Sequence, residues 1–471
     1  MVAHVITMPM KIAPAGDRAC LVQLGEVDAS QLHGYAAASR AMPGVLAVIP
    51  GHSSLYVIYD APGDCGGRDA ALESGSSAAA VHRVHRLNVA FDGADLDEFL
   101  AHTRQSRESF LKRVDGMVLT ARYLGFRGGF AYLDGWPEEW AMPRRATSRP
   151  VPRGSFAIAG SVAGFYPIDS PGGWNLLGTT DADLEHAIAP GDEIAINVAA
   201  GFSPPERRHP VGRSADFQPA PSGARRTGRL EVGVPYAEIL SAPLATLVHA
   251  PDYSRIERGI SPGGPFDDVA AALANRAVGN AVDAPLLECA IAGPRLRFRR
   301  DGFVAWCGHV RRVRAGAEVA FGKVEGGLRG YLAFGEREGV VATLDRGDRL
   351  VIHAMRGPHE TRITGMECEV TPQLDRVGIR LRPLREIDTR VPADLRSIGM
   401  QCGTVQLHPD GSLVAMGPDH PVTGGYLQPM TVLWEERWKL AQLSPGERVR
   451  FVLSARPKNV AAGFSRPNPP G

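Results

Sequence analysis

Glycine and proline punctuate this chain from end to end: 54 and 37 of 471 residues, above usage averages of about 7% and 5%. Spread this evenly, they interrupt helical periodicity and favour many short strands joined by tight turns, so the sequence predicts a β-rich fold. The length predicts about three folding units. With 52 Lys+Arg against 51 Asp+Glu, the near-zero charge argues against a nucleic-acid-binding surface. No charge-free apolar run of about 18 residues exists, and Met1 to Pro14 lacks a basic flank followed by an apolar stretch. A cytoplasmic protein with no membrane segment is therefore predicted. Six cysteines (Cys20, Cys65, Cys289, Cys307, Cys368, Cys402) lack any C-x-x-C pairing, so buried free thiols are predicted and no metal site.

Gly63–Ala80, rich in Gly, Ala and Ser, reads as a linker, and Ser203–Gly228, with its prolines and arginines, as the strongest boundary. The Pro-rich tail from Arg456 reads as disordered. Ala19–Leu24 and Leu55–Tyr59 look like strands flanking a helical stretch near Ala29–Met42, a small α+β unit. Asp95–Val114 has the apolar spacing of one or two short helices, and Ala270–Val278 is helix-like. Leu296–Val319 and Glu367–Leu381 are strand-like. A weak internal repeat links the halves: the Pro-Gly turn and alternating run at Ile188–Ile194 returns at Leu443–Phe451, and Pro171-Gly-Gly-Trp174 returns as Thr423-Gly-Gly-Tyr426. Two related barrels would account for it.

The densest chemistry lies at Gly125–Leu133, at Pro143–Thr147 with Arg144 and Arg145, and at Tyr166–Trp174 with Asp169, Ser170, Gly172 and Gly173. Paired guanidiniums beside a glycine-rich loop offer forked donors and open backbone N–H groups to a carboxylate, phosphate or carbamoyl group. Asp169, next to Ser170, supplies a candidate base or orienting carboxylate. The bland alternative is that the glycines and prolines shape turns and the arginines lie solvated on a rim. In the second half, Gln373, Asp375 and Arg376 form a matching cluster with Thr423, Gly424, Gly425 and Tyr426. There Asp375 and Arg376 read equally well as one ion pair on a barrel rim, and His420 as a surface histidine.

Other signals fail. Gly259-Ile-Ser-Pro-Gly263 has the spacing of a nucleophile elbow, but Gly264-Pro265 follows where a helix should open. Gly316 to Lys323 resembles a phosphate loop, yet Val324 replaces the magnesium-binding hydroxyl. Met10-Lys11 lacks the context of a biotin acceptor, so no covalent biotin is predicted on this chain. His82 and His85 have no ligand partner at metal-site spacing.

Ala15–Ala19, His52–Asp60, Gly125–Leu133, Pro143–Thr147 and Tyr166–Gly178 together resemble the smaller allophanate hydrolase type, also known as the B subunit of 5-oxoprolinase. From Leu230 on, Gly259–Asp267, Leu273–Asn275, Gly279-Asn280, Leu287-Glu288, Gly293–Phe298, Val370–Leu381 and Thr423–Tyr426 are similar to the C subunit of the same enzyme. The resemblance implies a fused B/C protein with cyclophilin-like β-barrels and an active site where the two parts meet. It places the small α+β domain of the B-type half at residues 1–80 and its barrel at 81–203. A linker would span 204–228, the first domain of the C-type half 229–350, its barrel 351–455 and a tail 456–471. The activity implied is ATP-dependent opening of 5-oxoproline to glutamate with a separate A-type partner protein, or carboxyl transfer to a urea-like amide. Catalytic roles would fall to Asp169, Ser170 and Asp375. Substrate contacts would fall to Arg144, Arg145, Tyr166, Gly172, Gly173, Trp174, Gln373, Arg376 and Thr423–Tyr426.

Departures from the pattern matter. A Pro-Gly-Phe-Pro stretch is here Gly128-Gly-Phe-Ala131, and a Thr-Val-Gln-Asp-x-Gly-Arg stretch is Thr246–Asp252. A Gly-Ser-Arg-Ser-Thr loop is missing between Gly335 and Gly347, and Asp419–Leu427 replaces Asp-Arg-Gln-Thr-Thr-Gly-Gly-Tyr-Pro. Two further readings therefore stay open: a divergent enzyme acting on another amide, lactam or carboxylated metabolite, and a non-catalytic regulatory protein of the kinase-inhibitor type. Homo-oligomerisation is also left open.

Overall fold

The computed structural model describes residues 10–63, 83–199 and 236–454, apart from 146, 186, 243, 343–346, 364 and 391–394. Nearly all of the predicted linker, the Ser203–Gly228 boundary and the tail lie outside the described residues.

At the N-terminus four strands pair in the order Lys11–Pro14, Ala19–Gln23, Ser54–Tyr59, Val45–Pro50. Helix α1 (Ala29–Arg40) crosses between them, started by a capping box in which Asp28 and Gln31 exchange hydrogen bonds. Every residue of Ser54–Tyr59 is buried. Alternate side chains point to opposite faces of a strand, and both faces are covered. Leu55, Val57 and Tyr59 join a core with Tyr123 and Tyr132 of the first half. Tyr56 and Ile58 join Ile256, Ile398 and Val422 of the second. This small sheet is thus the filling between the halves.

The repeat is structural. In the first half a seven-stranded sheet runs Val84–Val89, Glu193–Val198, Val118–Leu124, Ala131–Asp134, Val162–Phe165, Ser155–Ala159, Asn175–Thr179. In the second half a closed barrel runs in the same topological order: Val351–Arg356, Arg448–Leu453, Gly365–Leu374, Gly378–Pro383, Leu413–Met416, Thr404–Leu407, Leu427–Val432. In both, the first and last strands of the unit pair parallel. The Pro-Gly turns are equivalent: Gly191 N–H donates to Ala121 O at 2.7 Å and Gly446 N–H to Val370 O at 2.8 Å. Both glycines hold φ near +90°, at 89° and 85°, where a side chain would be strained.

Helices α2 (Leu96–Thr103) and α3 (Arg107–Val114) sit between the first two strands of the first unit and turn Leu96, Phe99, Leu100, Phe110 and Val114 into its core. Between the units in sequence lies a five-stranded sheet (Ala245–Val248, Leu286–Ala290, Arg329–Gly335, Gly302–Trp306, His309–Val313), with α4 (Asp268–Ala277) packed on it. The fold is the predicted β-rich α+β class.

Two expectations, on Cys20 and on His420, need correction. Cys289, Cys307, Cys368 and Cys402 are free thiols, but Cys20 is disulfide-bonded. His420 is buried at 1% exposure, not on the surface. His85 bonds Asp192 at 2.7 Å, bracing the Pro-Gly turn. Glu318–Ala320 is a strand paired with Arg295–Arg297, so the stretch from Gly316 forms a β-turn and strand and presents no phosphate loop ahead of a helix. Among the described residues no helix is long and apolar enough to cross a membrane.

Candidate functional site

The first half presents an aromatic floor. Tyr123 stacks on Tyr132 with ring centroids 4.3 Å apart, and Trp174 meets Phe130 and Tyr132 edge-on at 5.3 and 5.6 Å. Phe130 also meets Tyr166 and Phe126 edge-on. Burial pushes the Tyr123, Tyr132 and Tyr166 hydroxyls up, so each stays protonated. Gly172 is needed beside this floor, because a Cβ there would lie 2.2 Å from the Tyr166 hydroxyl.

The two halves meet at this floor. Thr423, fully buried, accepts the Phe126 N–H on its Oγ1 at 2.9 Å. A Cβ on Gly125 would lie 1.9 Å from that oxygen, so the approach requires glycine. Thr423-Gly424 pairs with Ile398-Gly399, and Tyr426 stacks on His408 at 4.3 Å. Arg144 reaches across, its guanidinium 5.8 Å from the Tyr426 ring; a Cβ on Gly425 would sit 3.0 Å from its Nη1. The Gly125–Leu133, Pro143–Thr147 and Thr423–Tyr426 motifs therefore come together at one junction between the halves.

Arg144 and Arg145 diverge. Arg145 bonds Asp95 at 2.9 Å and Glu98 at 3.1 Å, while its N–H donates to Gly173 O. Arg149 also bonds Asp95, whose Oδ2 accepts the Leu176 N–H as well. Arg145 is thus an anchor, and Arg144 makes no hydrogen bond or ion pair among the described residues.

The remaining candidates are engaged in their own neighbourhoods. Asp169 is exposed and accepts the Arg153 N–H at 2.8 Å; Ser170 donates to Ile168 O. Gln373 is exposed, its N–H donating to Thr371 Oγ1. Asp375 and Arg376 do not pair with each other, which corrects the rim ion-pair reading. Asp375 Oδ1 accepts the Val377 and Gly378 N–H groups. Arg376 forks onto Asp419 at 2.8 and 2.9 Å, and bonds Glu288 and Gly264 O, each at 2.8 Å. Burial opposes the charge on Glu288, but Arg376 and Arg329 hold its carboxyl below the usual range.

Sequence reasoning missed Arg127, which sits in the Gly125–Phe130 loop between the halves. A lone arginine among glycines gave no signal without a view of what the loop faces.

Two family descriptions match. "Carboxyltransferase domain, subdomain C and D" covers residues 10–187, and "Carboxyltransferase domain, subdomain A and B" covers 258–363 and 340–453. The chain is 30% identical over 205 residues to the B subunit of 5-oxoprolinase from Bacillus subtilis, spanning 38% of this chain and 85% of that protein. It is 25% identical over 262 residues to the C subunit of 5-oxoprolinase from Escherichia coli K12, spanning 42% and 84%. The crystal structure of TTHA0988 superposes with a TM-score of 0.74 at 25% identity, covering 93% of this chain and all of that one.

Proposed function

Because the chain belongs to the carboxyltransferase-domain family, joining a 5-oxoprolinase B-type half to a C-type half, we propose that it is the amide-handling component of an ATP-dependent enzyme. With a separate A-type partner protein it would hydrolyse 5-oxoproline to glutamate, water adding across the lactam C–N bond as ATP becomes ADP and phosphate. The observation that carries this reading is the junction itself, at which Phe126 and Arg144 of the B-type half meet Thr423, Gly425 and Tyr426 of the C-type half.

Arg144, without a charged partner among the described residues, suits the negative charge of such a substrate. Domain boundaries would follow those the resemblance implies. A second reading, a divergent enzyme for another amide or carboxylated metabolite, is favoured by Gly128 and Ala131 where the family pattern has prolines. The test is glutamate and ADP formation from 5-oxoproline and ATP by the purified chain mixed with an A-type protein from the same organism. Turnover that needs both proteins supports the first reading; none from a folded chain overturns it in favour of the second.

A further inference from the structure

A cavity of about 40 Å³ lies where Ile58 of the small N-terminal sheet meets residues 251–268 and the second barrel. A buried water needs roughly 10–15 Å³ on the same measure, so there is room for a small polar group. Its lining includes none of Phe126, Arg144 and Thr423, so it is distinct from the junction described above. It shares Pro251, Tyr253 and Ile256 with an open groove of about 640 Å³. The far wall of that groove is the edge strand Val45–Pro50, through Val45, Leu46, Ala47 and Val48.

The cavity holds both signs of charge and a bare acceptor. Arg437 lines it, stacks on the Trp434 ring at 3.4 Å and makes no ion pair among the described residues. Asp268 lines it as well. The third group is His420, 1% exposed, whose Nδ1 lies 2.8 Å from Pro421 O. A carbonyl only accepts, so Nδ1 carries the proton and Nε2 keeps its lone pair. Nε2 has no partner among the described residues. Burial lowers the pKa of this ring to about 4, so it is neutral at pH 7 and accepts rather than donates. A guanidinium without an ion pair and a buried acceptor without a donor both cost stability unless a ligand supplies what each lacks.

We propose that this cavity is a binding site for a free α-amino acid with an apolar side chain. The carboxylate accepts from the Arg437 guanidinium, the ammonium donates to His420 Nε2, and Asp268 balances the ammonium charge. The side chain passes Tyr253 into the groove beside Val45–Val48. A simple anion would leave His420 without a donor, and a simple amine would leave Arg437 without a counter-charge. The site stands apart from the amide-handling reading above and does not rest on it.

Calorimetric titration of the full chain with three probes tests the assignment: L-leucine, 4-methylpentanoate (no amine) and isoamylamine (no carboxylate). Wild type should bind L-leucine at least tenfold more tightly than either fragment. Arg437→Gln should weaken L-leucine and 4-methylpentanoate by about 10- to 100-fold, the loss of a charged hydrogen bond, and leave isoamylamine unchanged. His420→Asn can keep the bond to Pro421 O while losing Nε2, so it should weaken L-leucine and isoamylamine and leave 4-methylpentanoate unchanged. Unaltered L-leucine binding by either folded variant would overturn the proposal. If neither variant folds, the wild-type comparison decides, and equal affinity for L-leucine and its fragments would overturn it. Wild type that binds none of the three would leave the cavity to water and overturn it too, with the proposed function untouched.

Discussion

The two seven-stranded units share one strand order but close in different ways. The second closes by backbone, Ala354–Arg356 pairing with Met430–Val432. In the first, the same seam carries one bridge, between Ala90 and Thr179. Beyond it the Gly93 and Asp95 N–H groups donate to Leu177 O and Leu176 O, and a side chain joins them: the Asp95 carboxylate accepts the Leu176 N–H and bonds Arg145 and Arg149. The interiors differ accordingly. The first packs Phe91, Phe99, Phe110, Trp136, Trp140 and Phe156 under its helices, while the second is mostly aliphatic. The seam's carboxylate clasp also fastens Arg145 and Arg149 beside Arg144, whose guanidinium approaches Tyr426.

The strongest single test of this contrast lies outside either seam. The second unit is fastened to the five-stranded sheet by Glu288, 4% exposed, which accepts from Arg376, Tyr331 and the Phe266 N–H and lies 3.4 Å from Arg329. Glu288→Ala takes from the buried Arg329 its carboxylate and leaves Arg376 with Asp419 alone, and the expected loss is about 3–5 kcal/mol in urea unfolding. A loss under about 1 kcal/mol would mean the sheet and barrel are held by apolar packing instead.

Asp95→Ala should cost the first unit about 3 kcal/mol, less than Glu288 because Arg145 and Arg149 can turn to water. Fluorescence from Trp136 and Trp140 and that from Trp434 and Trp438, read in single-tryptophan backgrounds, should then separate, the first pair unfolding earlier. Coincident transitions would show that the seam's backbone bonds, at Ala90, Gly93 and Asp95, suffice.

The contrast also explains what the sequence could and could not reveal. Pro190-Gly191 and Pro445-Gly446 are visible because a turn that needs positive φ leaves a glycine behind. The α2 and α3 pair is visible in the spacing of Leu96, Phe99, Phe110 and Leu111. Bonds between distant residues leave no such trace: Arg145 meets Asp95 fifty positions away. Adjacency also misleads at Asp375-Arg376, where the carboxylate folds back onto its own turn and the guanidinium leaves for Asp419 and Glu288. His85 has no ligand partner nearby in sequence, yet it braces Asp192 after the first Pro-Gly turn, as Arg349 braces Glu447 after the second.

A smaller effect separates the halves by pH. His420, three residues before Thr423, is buried where the first half has Ile168. Burial lowers its pKa from 6.5 to about 4, with Arg437 adding to the shift and Asp419 and the Pro421 carbonyl opposing it. Between these values the unfolded chain binds the proton and the folded chain does not. Stability from this residue is complete above pH 6.5 and falls as pH drops toward 4, by about 2–3 kcal/mol. His420→Asn should flatten that slope in melting curves from pH 4 to 7. An unchanged slope would assign the acid sensitivity to His52, His359 and His408, which burial also lowers to about 4.

The finest comparison is between neighbours. Arg145 is fixed by two carboxylates and Arg144 by none, so the same substitution at adjacent positions should give opposite results. Arg145→Ala should cost about 1–2 kcal/mol of stability, because it removes charged hydrogen bonds to the nearly buried Asp95. Arg144→Ala should change stability by less than about 0.5 kcal/mol, as expected of a side chain with no charged partner to lose. It should nonetheless weaken the binding of an anionic ligand between the halves, read by calorimetric titration of the full chain with 5-oxoproline. If Arg145→Ala weakened binding without loss of stability, the clasp would be part of the binding surface rather than its support. The one-bridge seam of the first unit would then need another explanation.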